Sequence, residues 1–212
     1  MNYTNVLGVV GRKGHGKNAV GDYLSEAHGY KQIAFADDVK RVCKRLFPHL
    51  SDAQLWGPIE LKEALDLKTG VTPRWLLQKI GTEGGRQCQF DIFVGFGISP
   101  GQFQMALSLT GVVPGPTCWI DSLFGRLKYG EPGKYVVTDV RFPNEAQAIL
   151  DHGGTILKVT RPGYDTGAFN DHASETEVDN CPWSFELRNE VTLQDLYGNI
   201  EHLLRTMEAA RE

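Results

Sequence analysis

A three-layer α/β fold, with a five-stranded parallel sheet covered by helices on both faces, is what this sequence predicts. Two observations carry that expectation. Short apolar runs rich in β-branched residues alternate along the chain with segments of helical period. There are five such short runs, and strands that alternate with helices imply a parallel sheet with helices on both faces.

Val6–Val10 reads as the first buried strand. Val20, Tyr23, Leu24 and Ala27 then recur at helical spacing. Gln32–Phe35 reads as a second short strand. The stretch 36–134 is mostly helical in pattern, with Gly and Pro breaks, and within it Gly95 to Gly115 reads as a loop or flexible insertion. Tyr135–Asp139 is the third strand. The following helix takes Asn144 as its N-cap and stops at Gly153. Thr155–Thr160 and Ser184–Arg188 are the last two strands, with polar, turn-rich sequence between them. Thr192 caps a final helix whose Leu196, Ile200, Leu203 and Met207 form one apolar stripe. The resulting division is a core of 1–36 and 134–212, an insertion of 37–133 and a mobile lid over 161–183. In such sheets ligands bind beyond the carboxyl ends of the strands, so the residues that follow each strand are the ones to inspect.

The 212 residues suffice for one packed domain with an inserted subdomain, and 41% hydrophobic with 23% charged residues is an ordinary globular balance. The net charge of −4 and the absence of a basic run argue against nucleic acid as a partner. Four cysteines, at 43, 88, 118 and 181, form no CxxC pair, which sets aside a zinc motif and fits reduced thiols in a cytoplasmic protein. Met1–Asn5 lacks a signal-peptide pattern. No apolar run approaches the roughly 20 residues of a membrane span.

Gly11-Arg12-Lys13-Gly14-His15-Gly16-Lys17-Asn18 follows the first strand and opens the first helix, with Ala19 next. It fits GxxxxGK up to its last position. Glycines at 11, 14 and 16 let the backbone curl so that its N–H groups point inward at phosphate oxygens. The helix that starts near Lys17 adds the positive end of its dipole. Lys17 places a point charge between β- and γ-phosphates. The expected ligands are ATP and Mg²⁺, in a P-loop NTPase fold. Asn18 stands where Ser or Thr normally meets the metal, and its carbonyl oxygen can serve there. His15 reads either as an exposed loop residue or as a base. Asp139, at the end of the third strand, can organise the Mg²⁺ hydration shell, and Arg141 beside it can fork onto a phosphate. The alternative for these two is a structural ion pair at a strand end.

The segment Asp139-Val140-Arg141-Phe142-Pro143-Asn144-Glu145-Ala146 resembles a stretch of phage-type deoxynucleoside monophosphate kinases. So do Phe35-Ala36-Asp37-Asp38-Val39-Lys40, Thr72-Pro73-Arg74 with Leu76-Leu77-Gln78, Gly81-Thr82-Glu83-Gly84-Gly85-Arg86, and His172-Ala173-Ser174-Glu175. The matches run in family order over nearly the whole chain. The departure is an apparent insertion near 91–117, which bears on substrate choice more than on chemistry. The resemblance implies a P-loop kinase that makes a deoxynucleoside diphosphate from the monophosphate with ATP and Mg²⁺, and a homodimer. It implies Asp37, Lys40, Arg74, Arg86 and Arg141 on the acceptor side and Arg161, His172 and Glu175 in the lid.

Transfer between two anionic phosphates needs converging cations, and Arg74, Arg86 and Arg141 are the strongest three. Lys40 reads equally as a solvated helix residue. Asp37 binds sugar or base, or caps a helix. Glu83 orients an arginine, and Asn189, after the last strand, contacts adenine or caps a turn. Trp56, Trp75, Trp119 and Phe90 read as core rather than as stacking platforms. Two alternatives stay open: a kinase for another small phosphorylated acceptor such as phosphomevalonate, and an ATPase or switch that needs no acceptor.

Overall fold

The computed structural model describes residues 5–164, 177–190 and 192–209. Its packing divides the chain into two compact units, 1–34 with 131–212, and 35–130.

The first unit holds the sheet. Strands β1 (Val6–Val10), β2 (Lys31–Ile33), β3 (Tyr135–Val140), β4 (Thr155–Thr160) and β5 (Phe185–Arg188) lie in the order β2-β3-β1-β4-β5, and all neighbours are parallel. Period-two alternation sorts the strand side chains. Leu7 and Val9 of β1 and Leu157 and Val159 of β4 share a core with Val20 and Leu24 of helix α1 (Lys17–His28) and with Leu196, Ile200 and Leu203 of the last helix (Leu193–Ala209). On the other face, Gly8 sits against Ile156 and against Ile149 of the helix Pro143–Asp151; a Cβ at Gly8 would come within 2.5 Å of Ile156. The predicted strands therefore stand, with end shifts. The second begins and ends earlier than read, because Phe35 already leads into a helix.

One of two cap expectations changes here. Asn144 does not cap its helix: Phe142 is the N-cap, Pro143 occupies the first helical position, and the buried Glu145 accepts from the Arg141 and Phe142 amides at 2.9 and 3.1 Å. Thr192 does cap the last helix, in a reciprocal pair with Asp195.

The second unit is helical: α2 (Ala36–Leu46), α3 (Asp52–Trp56), α4 (Ile59–Glu63), α5 (Pro73–Lys79), α6 (Pro100–Leu109) and α7 (Cys118–Tyr129). In the first unit, Pro143–Asp151 is then α8 and Leu193–Ala209 is α9. The stretch Gly95–Gly115 is not a loop. Ser99 and Gln102 close a capping box around Pro100, and α6 follows with Phe103, Ala106 and Leu107 buried. Glycines at 95, 97 and 101 hid that helix from a composition reading. Nor is 91–117 an appendage. Fully buried Phe93 packs edge-on to Phe47 and Trp75, and against Phe103, at ring separations of 5.6, 6.4 and 5.6 Å. The segment supplies the middle of this unit's core.

Residues 80–86 form a π-helical stretch continuing α5. Gly84 and Gly85 face the rings of Phe103 and Trp119 so closely that a Cβ would lie 2.3 Å from either. Trp119 Nε1 donates to the Gly81 carbonyl at 2.7 Å. Trp119, Trp75 and Phe90 belong to this packing, as expected. Trp56 does not: it is 41% exposed at the end of α3.

No described helix is long and apolar enough to cross a membrane. All four cysteines are free. Burial pushes the thiols of Cys43, Cys118 and Cys181 up to about 12, 11 and 12, while Cys88 is exposed. A thiolate-selective reagent at pH 8 is therefore expected to modify Cys88 alone in the native protein and all four after unfolding. Mass spectrometry of the labelled peptides checks this, and fast native labelling of Cys43 would contradict the packing.

Candidate active site

The loop between β1 and α1 is built by glycines that cannot be replaced for two separate reasons. Gly14 and Gly16 have φ of 83° and 106°, in the left-handed region that favours glycine. Each is also crowded: a Cβ at Gly14 would lie 2.3 Å from Tyr164 Cε1, and one at Gly16 would lie 2.7 Å from Asn189 Nδ2. Within the curl, Lys17 Nζ donates to the carbonyls of Gly11 and Arg12 at 2.5 and 2.9 Å, so the ammonium is held inside the loop. Asn18 is exposed in the first turn of α1, followed by half-buried Ala19, and Lys13 is exposed.

The loop is tied down from outside by residues far along the chain. Asn189, 8% exposed, donates from Nδ2 to the His15 carbonyl at 3.0 Å, while its own amide donates to Thr160 O at 2.8 Å. His15 Nδ1 lies 3.2 Å from the carbonyl of Val159 on β4, so a ring protonated there bonds to the strand. Asn189 and His15 thus brace the loop in this structure. Arg12 forks onto Asp179, with its closest nitrogen–oxygen distance 2.6 Å. That hydrogen bond, ahead of the opposing effect of burial, holds the Asp179 carboxyl below the ordinary carboxylate value. The pair's stabilisation is present above the unfolded-chain pKa and is lost as pH falls through the depressed folded value. Arg161 lies 4.6 Å from the Tyr164 ring centre, which places this cation–π pair beside Gly14. Sequence reading missed Tyr164 and Asp179; neither carries a local signal.

The register of the sheet brings the third-strand residues to the same end. Val10, immediately before the loop, pairs with Val140, so half-buried Asp139 and Arg141 stand beside the start of the loop. His172 and Glu175 lie outside the described residues.

In the helical unit the structure gathers some of the expected acceptor residues and adds one. Lys62 of α4 is perturbed downward, first by burial and then by the charges of Lys40 and Arg74. The three cations stand on α2, α4 and α5, of which α5 packs against both of the others. Lys40 is 3.5 Å from Asp37, and Arg74 is 3.8 Å from Glu63. Lys62 was not singled out in the sequence, because nothing local separates it from any helical lysine. Asp37 lies in the first turn of α2, paired also with Arg126 at 3.2 Å. Glu83 pairs with Lys79, 2.5 Å away, rather than with an arginine. Its Oε2 is buried with no hydrogen-bond partner among the described residues. Arg86 donates to the Pro116 carbonyl at 3.2 Å.

Among known proteins, the chain is 33% identical over 199 residues to a protein of Acanthamoeba polyphaga mimivirus named "Putative deoxynucleotide monophosphate kinase", a match spanning 92% of this chain and 93% of that one. The chain belongs to the deoxynucleotide monophosphate kinase family. Membership makes it a kinase, that is, a phosphotransferase, in line with the kinase part of the resemblance read from the sequence motifs. No family model matches the chain. Two solved structures are similar at low identity: TT1252 from Thermus thermophilus, at a TM-score of 0.46 and 15% identity over 95% of this chain and 96% of that one, and dephospho-CoA kinase from Campylobacter jejuni, at 0.41 and 10% over 96% and 97%.

Proposed function

We propose that the protein transfers the γ-phosphoryl group of ATP to the phosphate of a deoxynucleoside 5′-monophosphate. An oxygen of the acceptor phosphate bonds to the γ-phosphorus, the bond to the β,γ-bridging oxygen breaks, and ADP leaves. The name of the mimivirus relative supports this acceptor class. The observation that carries the reading is that α5 packs against both α2 and α4, which brings Arg74, Lys40 and Lys62 into one region; burial first, then the charges of Lys40 and Arg74, lower the Lys62 ammonium.

Below its depressed folded value, charged Lys62 costs stability relative to the unfolded chain. That cost fades as pH rises toward the ordinary lysine value of 10.5. A bound phosphate dianion offsets that cost at neutral pH by adding negative charge beside Lys62. Such a trio is an anion site in waiting. The buried, donor-poor Oε2 of Glu83 suits a hydroxyl or amino group of the same acceptor.

On the ATP side, the loop amides and Lys17 take the β- and γ-phosphates, and Arg141 adds charge near the transferred group. Asn18 and Asp139 offer the hard oxygen donors that suit Mg²⁺, an ion that takes few protein ligands and keeps phosphate oxygens and water for the rest. Bound with ATP, the metal neutralises charge on the β- and γ-phosphates. The position of the Arg161–Tyr164 pair beside Gly14 supports a role in shielding the phosphates from water.

The decisive assay incubates the protein with ATP, Mg²⁺ and each common deoxy- and ribonucleoside monophosphate, and separates products by anion-exchange chromatography. ADP and a deoxynucleoside diphosphate in equal amounts are expected. ADP formed at the same rate without acceptor would replace the proposal by an ATPase. In the same assay Arg74→Ala should raise the acceptor KM by about 10²-fold, the worth of one charge-assisted phosphate contact, with the ATP KM little changed. An effect on ATP alone would reverse the two assignments.

A further inference from the structure

The helical unit carries a second cationic cleft that the proposed reaction does not use. Its volume is about 450 Å³, and it lies where the exposed side of α2 meets the ends of α3 and α6 and the middle of α7. Arg41, Lys44, Arg45 and Arg126 line it, with the Trp56 ring at its edge. It shares no residue with the Lys40, Lys62 and Arg74 trio.

Charge balance marks the cleft as built for an anion. The single carboxylate lining it is Asp38, which is 2% exposed and engaged with Arg41 and Ser122. Asp37 and Asp52 pair with Arg126 and Lys44 from outside the lining, and even with both counted the cations lead four to three. The chain as a whole carries a net −4, so this excess runs against its average. Buried Asp38 and its partner Arg126 hold two walls in place. Arg45 is exposed and engaged through the Leu109 carbonyl at 3.4 Å, a neutral acceptor that leaves its charge unbalanced.

The second feature is Trp56. Trp56, 41% exposed at the end of a short helix, is one of the residues lining the cationic cleft, where its face can take a flat ring by stacking. Forked arginines bind phosphate oxygens in two-point contacts that lysine alone does not make. The volume suits a small molecule rather than a polymer. We infer that this cleft binds a small phosphorylated compound with an aromatic ring, the class that includes nucleotides, through residues other than those of the phosphate loop and the acceptor trio. The inference rests on the residues of the cleft, and of the proposed function it needs only that the acceptor trio lies elsewhere.

The test is equilibrium dialysis of the full chain at low salt. Probes are the deoxynucleoside mono- and triphosphates and inorganic phosphate, with wild type compared against Arg45→Glu and Trp56→Ala. Circular dichroism confirms that both variants fold. Arg45→Glu should weaken one class of nucleotide sites by about tenfold or more, from loss of a charged contact and added repulsion. Trp56→Ala should weaken the same class by about tenfold through lost stacking. Phosphoryl transfer at saturating substrates should be unchanged in both. Superimposable binding curves for all three proteins would overturn the inference. Phosphate binding as tight as nucleotide binding, with Trp56→Ala silent, would reduce the cleft to an inorganic anion site and overturn the aromatic part. A parallel fall in turnover would make the cleft part of the reaction and overturn its separateness. If no monophosphate is phosphorylated in the product assay yet Arg45→Glu still loses nucleotide, the cleft stands and the proposed reaction fails.

Discussion

Lys17→Met is expected to lower the turnover number by about 10³-fold, the worth of a preorganised charge aimed at the transferred phosphoryl group. The lysine also has a structural share, since Nζ holds the Gly11 and Arg12 carbonyls in the loop. Methionine keeps the length and apolar stem but neither bond. Two effects must therefore be separated: loss of charge in the transition state, and slackening of the loop in the ground state. Rapid-quench single-turnover measurements at saturating ATP isolate the first, because full occupancy removes the binding deficit. A fall of less than tenfold under those conditions would take Lys17 out of the chemistry. Affinity for the monophosphate acceptor should stay within a factor of a few.

Asn189→Asp is expected to raise the KM for ATP by about 10²-fold while leaving turnover at saturation within a few-fold. The side chain sits in a buried position from which only a donor can satisfy the His15 carbonyl. Aspartate has the same shape without a donor, and adds a negative charge against a loop whose proposed ligand is anionic. Asn189→Ala removes the bond without adding charge, and a smaller rise of about tenfold follows. The ordering Ala below Asp, seen in KM rather than in turnover, is what a brace of the phosphate loop produces. Equal effects on both kinetic constants, or a loss confined to thermal stability, would mean that Asn189 is only a packing residue. The earlier expectation that Asn189 meets adenine predicts a different signature, a change in base preference of the phosphoryl donor.

Much of the fold was legible because it is written in local periods. Val6–Val10, Tyr135–Val140 and Thr155–Thr160 announce themselves as apolar runs, and their burial in a central sheet follows from having a helix layer on each side. The phosphate loop was legible for the same reason, since strand, glycines, lysine and helix follow each other directly. Helix α6 was not, because three glycines within seven residues outweighed the Ser99–Gln102 cap that starts it. Trp56 was misplaced because a large apolar ring reads as core wherever it stands. Its position at the end of a five-residue helix, beside a cationic cleft, is a property of packing.

The sequence by itself determined the sheet, the loop and the chemistry class, since each depends on residues adjacent in the chain or on runs of matching motifs. Only the tertiary structure decided what braces and completes the site. Asn189 reaches His15 across 174 positions, and Asp179 reaches Arg12 across 167. Lys62 enters the proposed acceptor site only through the packing of α4 on α5, and the charges of Lys40 and Arg74 act on it there. No local pattern encodes such meetings. Hydrophobic periodicity reports which face of an element is buried, while the partner it meets there, and the charge that partner carries, is set by how the elements pack.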